Sequence, residues 1–441
     1  MSFENLGLST PLLKAVEEKG YKIPSPIQAE SIPVILRKVD VMACAQTGTG
    51  KTAGFTLPIL EMLNNGIKGK IKSPRALILA PTRELAIQIN DSILEYGKHL
   101  EIYSNVVYGG VKVNRQITRL QNVVDILVAT PGRLLDLYSQ RAVLFNNIEI
   151  LVLDEADRML DMGFINDIKK ILSYLPKNRQ NLLFSATFSD DIRKFAKGLL
   201  NNPVEINIAP QNTTAKSIQH TIHPVDKSRK AELLSYLIRE NNWQQALVFS
   251  RTKHGANRLV QRLSQDNIKA LAIHGNKSQN QRTAALNSFK EGKIKILVAT
   301  DIAARGIDIE QLPQLVNFDL PSVAQDYVHR IGRTGRADRR GKAITFVADY
   351  ELEKWNGIVE ELDLGITEKA APERLVISEI LLAQERDTPV MPNMTIKNPV
   401  KLESQGAFHE KKAKNLKVNM KLSRGEKMRL KYGKPKKRRN N

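Results

Sequence analysis

The chain has 441 residues, and its 67 Lys+Arg outnumber its 46 Asp+Glu to give a formal charge of +21. An apolar share of 42% supports sizeable cores, in about two or three domains, and excludes wholesale disorder. The opening Met1-Ser2-Phe3-Glu4 lacks a basic and apolar leader, no apolar run nears the roughly 20 residues that span a bilayer, and the single Cys44 excludes an intrachain disulfide. A soluble protein of the reducing cytoplasm is the expectation.

Short apolar runs recur along the chain, each followed by turn residues and a helix-like stretch. The first series is Val41–Ala45, Ala76–Ala80, Asp125–Ala129, Ile150–Leu153 and Asn181–Ser185, with Arg83–His99 as a helical crossover. Uninterrupted apolar runs that alternate with helices predict strands buried on both faces of a parallel sheet. Asn201–Ser217 then holds one strand-like stretch, Val204–Ile208, and turn-rich polar sequence that predicts a linker at 208–217. A second series follows with Ala246–Ser250, Ala270–Ile273, Ile294–Ala299 and Leu315–Phe318, the crossover Lys253–Asp266 and a closing helix over Glu351–Asp363. The predicted fold class is α/β, with two parallel-sheet domains at 1–207 and 218–365. Pro389, Pro392 and Pro399 punctuate the remainder, and residues 401–441 carry 15 Lys/Arg against 3 Asp/Glu. The segment 366–441 therefore reads as a basic, mostly disordered extension, the electrostatic footprint of a polyanion binder.

Two runs carry chemistry. Val41–Ala45 leads into Gln46-Thr47-Gly48-Thr49-Gly50-Lys51-Thr52, a Gly-rich turn between strand and helix that aims backbone N–H groups at phosphate. Lys51 is placed to reach the terminal phosphates and Thr52 to serve a magnesium shell, although Ala45 stands where the general P-loop has Gly. Leu151-Val152-Leu153-Asp154-Glu155-Ala156-Asp157 supplies the complement, an apolar strand that ends in carboxylates. Asp154 is expected to hold magnesium partly through water, and Glu155 to polarise the attacking water.

Asp154-Glu155-Ala156-Asp157 spells DEAD, and with the following runs the chain resembles a DEAD-box ATP-dependent RNA helicase of superfamily 2 over roughly residues 1–365. Phe3 precedes Gly20-Tyr21 and Pro26-Ile27-Gln28, similar to the adenine-reading Q motif, and Ala45 fits the family's own P-loop variant. Pro81-Thr82-Arg83-Glu84-Leu85, Gly109-Gly110, Thr130-Pro131-Gly132-Arg133 and Ser185-Ala186-Thr187 follow in family order. Val248–Arg251, His274-Gly275 with Gln279 and Arg282, Ala299–Asp308 and His329–Arg336 complete the series. The full-length likeness is nearest the bacterial RhlE-type branch.

The resemblance implies two tandem RecA-like domains, ATP and magnesium as cofactors, and RNA as the partner. Phe3, Tyr21 and Gln28 would address adenine, with Gly306 and Asp308 at the ribose. Gln28 has the donor and acceptor that adenine requires, and Tyr21 or Phe3 offers an aromatic face or a brace. Arg333 and Arg336 would be arginine fingers, and their spacing of three residues suits one helical face. In sequence, the run His329–Arg336 has no acid to neutralise its arginines before Asp338. Asp157, Ser185, Thr187 and His329 would couple the domains. Pro81, Thr82, Arg83, Gly109, Gly110, Thr130, Pro131, Gly132, Arg133, Arg251, Arg282 and Thr300 would grip RNA. Contacts to phosphate and 2′-OH carry no base code, although plain N-capping also accounts for Thr82 or Thr130 singly.

The expected activity is RNA-stimulated ATP hydrolysis with local unwinding of short duplexes or remodelling of RNA–protein complexes. Ribosome assembly and RNA turnover are the expected settings, with a monomeric catalytic unit away from membranes. The alternative is an ATP-gated RNA clamp or assembly platform in which unwinding is incidental.

Overall fold

A computed structural model describes residues 2–45, 48–64, 70–208, 218–304, 312–334 and 341–362. Gln46, Thr47, Gly306, Asp308, Arg336, nearly all of the expected linker and the basic extension lie outside the described residues.

The first sheet is built from β1 (Val41–Cys44), β3 (Ala76–Leu79), β4 (Ser104–Val107), β6 (Ile126–Ala129), β7 (Ile150–Leu153), β8 (Gln180–Ser185) and β9 (Val204–Asn207). A short antiparallel ribbon, β2 (Lys70–Ile71) with β5 (Val123–Val124), stands beside it. The sheet order is β4-β6-β3-β7-β8-β1-β9, and every pair is parallel. The second sheet holds β10 (Ile218–Pro224), β11 (Ala246–Phe249), β12 (Ala270–Ile273), β13 (Ile296–Ala299), β14 (Gln314–Asn317) and β15 (Gly341–Val347). Its order is β10-β15-β14-β11-β13-β12, again parallel throughout. These two RecA-like lobes match the expected fold class.

Most strands legible in sequence are buried throughout, although the expected runs at β9, β12 and β14 are only partly so. All residues of β1, β3, β6, β7, β8, β11 and β13 are buried, so no polar alternation interrupts them. The edge strands β4 and β10 read Ser-Asn-Val-Val and Ile-Gln-His-Thr-Ile-His-Pro because one flank meets solvent, and the apolar-run criterion passes over them. The second-lobe strand β15 carries Lys342 and Thr345, and Thr345 is buried where its hydroxyl accepts from Asn317 Nδ2 at 3.2 Å. Lys230 locks the closing helix Leu352–Leu362. Its buried ammonium donates to the Phe318 and Phe346 carbonyls, each at 3.1 Å, and to Glu351 Oε2 at 2.6 Å.

Parallel winding puts the C-terminal ends of all strands on one edge of each sheet. The order β3-β7-β8-β1 therefore makes neighbours of four runs that are distant in sequence. They are Pro81–Leu85, Asp154–Asp157, Ser185–Thr187 and the P-loop.

Candidate active site and nucleic-acid groove

The P-loop follows β1 without a break. Ala45 is buried and donates its N–H to the Ser185 carbonyl at 3.1 Å. Gly48 and Gly50 take φ of 76° and 91°, and a Cβ at Gly50 would fall 2.3 Å from Gln28 Nε2, so only glycine fits. Lys51 opens the helix Lys51–Asn64, and its buried ammonium donates to the Ala45 carbonyl at 2.6 Å. Gln28 is tied into the same turn: Nε2 donates to Gly50 O at 3.2 Å, and Oε1 accepts from Ser25 N–H at 2.9 Å. By valence its amide retains one N–H and one lone pair for a purine edge. Buried Phe3 stacks behind Tyr21 at 6.4 Å and 18°, so Phe3 braces while the half-exposed Tyr21 lines the cleft.

The carboxylates sit at the end of β7. Asp154 is 2% exposed, and burial pushes its carboxyl up to about 7 despite the opposing Lys51 ammonium. Its Oδ1 accepts the Glu155 N–H at 3.0 Å. Glu155 adopts the left-handed φ/ψ of 51°/53°, which costs a non-glycine residue roughly 1–2 kcal/mol. Burial raises the Glu155 carboxyl as well, against the fields of Lys51 and Arg333. Asp157 Oδ2 accepts from the N–H groups of Ala186 and Thr187, both at 3.1 Å, and from Thr187 Oγ1 at 3.3 Å. Ser185 Oγ accepts only a long 3.4 Å contact from Thr187 N–H. The two runs are thus joined by hydrogen bonds from Ala186 and Thr187 to Asp157.

A cleft of about 560 Å³ joins Tyr21, Gly48, Gly50, Lys51, Thr52, Asp154 and Glu155 to Gln279, Arg282 and Arg333 of the second lobe. Across it, the buried Glu84 carboxylate meets Arg282 Nη2 at 2.7 Å and accepts from Gln279 Nε2 at 3.1 Å. Burial lowers the His329 imidazole below its ordinary value, opposed by the facing Asp157 carboxylate. Among the described residues no group of three His, Cys, Asp or Glu side chains gathers as a metal-ligand set. The buried Asp154 carboxylate and Thr52 line the same cleft, a donor set that suits magnesium, which takes one or two protein oxygens and fills its shell with water and phosphate.

A second hollow of about 430 Å³ is lined by Pro81, Thr82, Arg83, Gly109, Thr130, Gly132 and Arg133, with Gly275 and Arg282 across from them. Gly110 has φ 78°, and a Cβ there would lie 2.2 Å from Arg83 Nη1. Arg133 donates to Gln116 Oε1 and to the Val111 carbonyl, both at 3.1 Å. Thr82 Oγ1 accepts from Leu85 N–H at 3.3 Å and so caps its own helix, whereas the Thr130 side chain makes no cap hydrogen bond. Gly110 and Pro131 adjoin this groove. Arg251 and Thr300 do not line it: the Arg251 N–H donates to Asp319 Oδ2 at 2.9 Å, and the Thr300 carbonyl accepts from Ala303 and Ala304.

Residues 25–195 match the family described as DEAD/DEAH box helicase, and 229–338 match the helicase conserved C-terminal domain. A Helicobacter pylori protein named DEAD-box ATP-dependent RNA helicase RhpA is 42% identical over 365 residues, 83% of this chain and 73% of its own. The chain belongs to the DEAD-box helicase family. The Bacillus cereus DEAD-box ATP-dependent RNA helicase CshA is 41% identical over 385 residues, 87% of this chain and 72% of that protein. Among solved structures, Saccharomyces cerevisiae Dbp5 bound to RNA and ADP BeF3 is similar with a TM-score of 0.74 and 32% identity, covering 86% of this chain and 99% of that one.

In this DEAD-box chain two expectations about His329–Arg336 are corrected. The helix Ala324–Ile331 stops at Gly332, so Arg333 is not on a helical face. Thr334 instead forms a bridge with Leu312, to whose carbonyl its buried hydroxyl donates. Arg330 is neutralised from afar, by Asp301 rather than by Asp326 on its own helix. Its fork grips Asp301 at 2.6 and 2.8 Å, Nη1 donates to Asn317 Oδ1 and the Asp319 carbonyl, and the guanidinium lies 4.8 Å over the Phe249 ring. Glu84 carried no assigned role in the sequence reading. An acid inside a run expected to grip RNA was its only signal.

Proposed function

We propose that this chain hydrolyses ATP in response to RNA and uses lobe closure to separate short duplexes or remodel RNA–protein complexes. The observation that carries this reading is Arg333, from the second lobe, in one cleft with Lys51, Asp154 and Glu155 of the first. Its domains would be 1–207 and 218–365, joined by 208–217 and followed by a basic RNA-tethering extension at 366–441. Branch membership within the family rests on the sequence resemblance alone.

In this mechanism the P-loop N–H groups cradle the phosphates, and Lys51 transfers its ammonium from the Ala45 carbonyl to the terminal phosphates. Tyr21 and Gln28 orient adenine, and Gly306 and Asp308 complete the ribose side. Magnesium, held by Asp154 and Thr52 partly through water, would neutralise phosphate charge. Glu155 positions and polarises the attacking water, while Arg333 and Arg336 stabilise the charge that develops on the transferred phosphoryl. Asp157, Thr187 and His329 register the closed state. Pro81–Arg83, Gly109-Gly110 and Thr130–Arg133 hold one RNA strand, with Arg282 opposite, and the sequence resemblance adds Arg251 and Thr300 as RNA contacts outside that groove. A strand bent between two lobes no longer fits an A-form duplex, and its complement is released without long translocation.

A cytoplasmic, monomeric enzyme acting in ribosome assembly or RNA turnover follows from this reading. No described helix is long and apolar enough to cross a membrane. The test is ATPase activity and release of a labelled strand from a short RNA duplex, with DNA as control. RNA-specific stimulation coupled to release supports the helicase. Stimulation with a long-lived ATP-bound complex and no release identifies the clamp instead, and equal stimulation by DNA contradicts both.

A further inference from the structure

Arg158 follows the acidic run on the helix Ala156–Asp161 and is 6% exposed. Its Nη1 lies 2.6 Å from Asp161 Oδ2 on its own helix and 3.7 Å from Asp326 Oδ1 on the helix Ala324–Ile331 of the other lobe. Its Nε and Nη2 are buried with no hydrogen-bond partner. A guanidinium removed from water with two donors unmet depends on its carboxylates for stabilisation. The two carboxylates are unequal: the Asp161 side chain is 63% exposed and screened by water, whereas that of Asp326 is 14% exposed. Burial raises the Asp326 carboxyl, and the Arg158 guanidinium is the chief opposing influence.

The position of Asp326 gives this contact its meaning. The helix Ala324–Ile331 also carries His329, which faces Asp157, and it leads within two residues to Arg333. Arg158 stands three residues beyond Glu155 and favours the charged form of that carboxylate. The pair therefore clamps the segment that delivers the arginine to the segment that presents the catalytic carboxylate. Neither partner touches the nucleotide cleft or the RNA groove.

We propose that Arg158 and Asp326 are a cross-lobe latch, a positioning pair that forms on closure and sets the lifetime of the closed state. In the open form Arg158 keeps Asp161, so the first lobe tolerates the buried charge, and closure adds the second carboxylate. The latch rests on the proposed RNA-dependent closure.

The test uses the full chain, a fluorescent single-stranded RNA and a non-hydrolysable ATP analogue with magnesium. Asp326→Asn is expected to speed RNA release five- to twentyfold and to raise the KM for RNA similarly. ATP affinity without RNA should stay within about twofold, because the first lobe binds nucleotide alone. Arg158→Met should act alike, and the double variant should be no worse than the worse single, the signature of one shared interaction. Asp326→Glu should restore release to within about twofold of the parent, which separates loss of the ion pair from a folding defect. If Asp326→Asn leaves release unchanged while Arg158→Met only lowers Tm, Arg158 is a brace for Asp161 and the latch is wrong. Additive effects of the two single variants would overturn it equally. A parent chain with no nucleotide-dependent RNA retention would sink the functional reading itself, whereas retention unaffected by the variants would remove the latch alone.

Discussion

The two lobes share one sheet architecture and one edge of strand ends, yet they bring different kinds of chemistry to the cleft. The first lobe supplies a nearly complete nucleotide site from contiguous runs: the P-loop after β1, Asp154 and Glu155 after β7, and Asp157 wired to Thr187 after β8. The second lobe supplies isolated side chains, chiefly Arg333, Arg282 and Gln279, which acquire a task only against the first. Substitutions in the first lobe should therefore alter binding or chemistry within one domain. Substitution of Arg333, Arg282 or Gln279 in the second should alter turnover and closure and leave ATP affinity nearly untouched.

Arg333→Ala is the sharpest way to break that contrast. Arginine fingers contribute roughly 10³–10⁵ in rate, so turnover should fall by about a thousandfold or more with ATP affinity within about threefold. Lys at this position should not rescue, since the planar fork is lost. Steady-state ATPase and equilibrium nucleotide titration check both halves, and a loss below about tenfold would remove the finger role.

Glu155→Gln should reduce turnover by roughly 10²–10⁴, the range of a general base, while the nucleotide still binds and the chain stays on RNA. Single-turnover hydrolysis measures it. Activity close to that of the parent would take Glu155 out of the chemistry.

A smaller effect belongs to the buried Glu84–Arg282 contact at 2.7 Å, whose side chains are 8% and 7% exposed. Removing one partner leaves a buried charge uncompensated, at a cost on the order of 2–5 kcal/mol. At about 1.4 kcal/mol per tenfold, Glu84→Gln should raise the KM for RNA by about 30-fold or more and change ATP affinity in the absence of RNA by less than about threefold. An equal loss of ATP binding without RNA would place Glu84 in the nucleotide site rather than between the lobes.

Truncating residues 401–441, which hold 15 of the 67 Lys/Arg, should change maximal turnover by no more than about twofold. RNA affinity should weaken most at low salt. About five phosphate contacts give the intact chain a log–log salt slope steeper by roughly 3 to 4. Equal slopes for both forms would make the extension something other than an RNA tether.

The lobe comparison also explains what the sequence could and could not disclose. Buried strands carry short apolar runs, so β1, β3, β6, β7, β11, β13 and the Leu-Leu-Phe centre of β8 were visible, as were the apolar runs at β9, β12 and β14, while the polar edge strands β4 and β10 and the mixed β15 were not. The P-loop and Asp154–Asp157 are contiguous because a strand end and the helix start after it form each site. Glu84 with Arg282, Arg158 with Asp326 and Arg330 with Asp301 unite residues far apart in sequence, and no spacing rule encodes them. The shared helical face imagined for Arg333 and Arg336 failed for a local reason. Gly332 ends the helix, and the Thr334 bridge to Leu312 takes the chain elsewhere.

The central claim is that ATP and RNA together close the lobes and bring Arg333 to Glu155. Energy transfer between dyes on Lys177→Cys and Asn241→Cys reads it directly, because both positions are exposed, one on each lobe, while the native Cys44 is buried. High transfer should appear only with single-stranded RNA and a non-hydrolysable ATP analogue present together, and should collapse on exchange for ADP. Transfer that is indifferent to the pair of ligands, or complete with either one alone, would contradict the account.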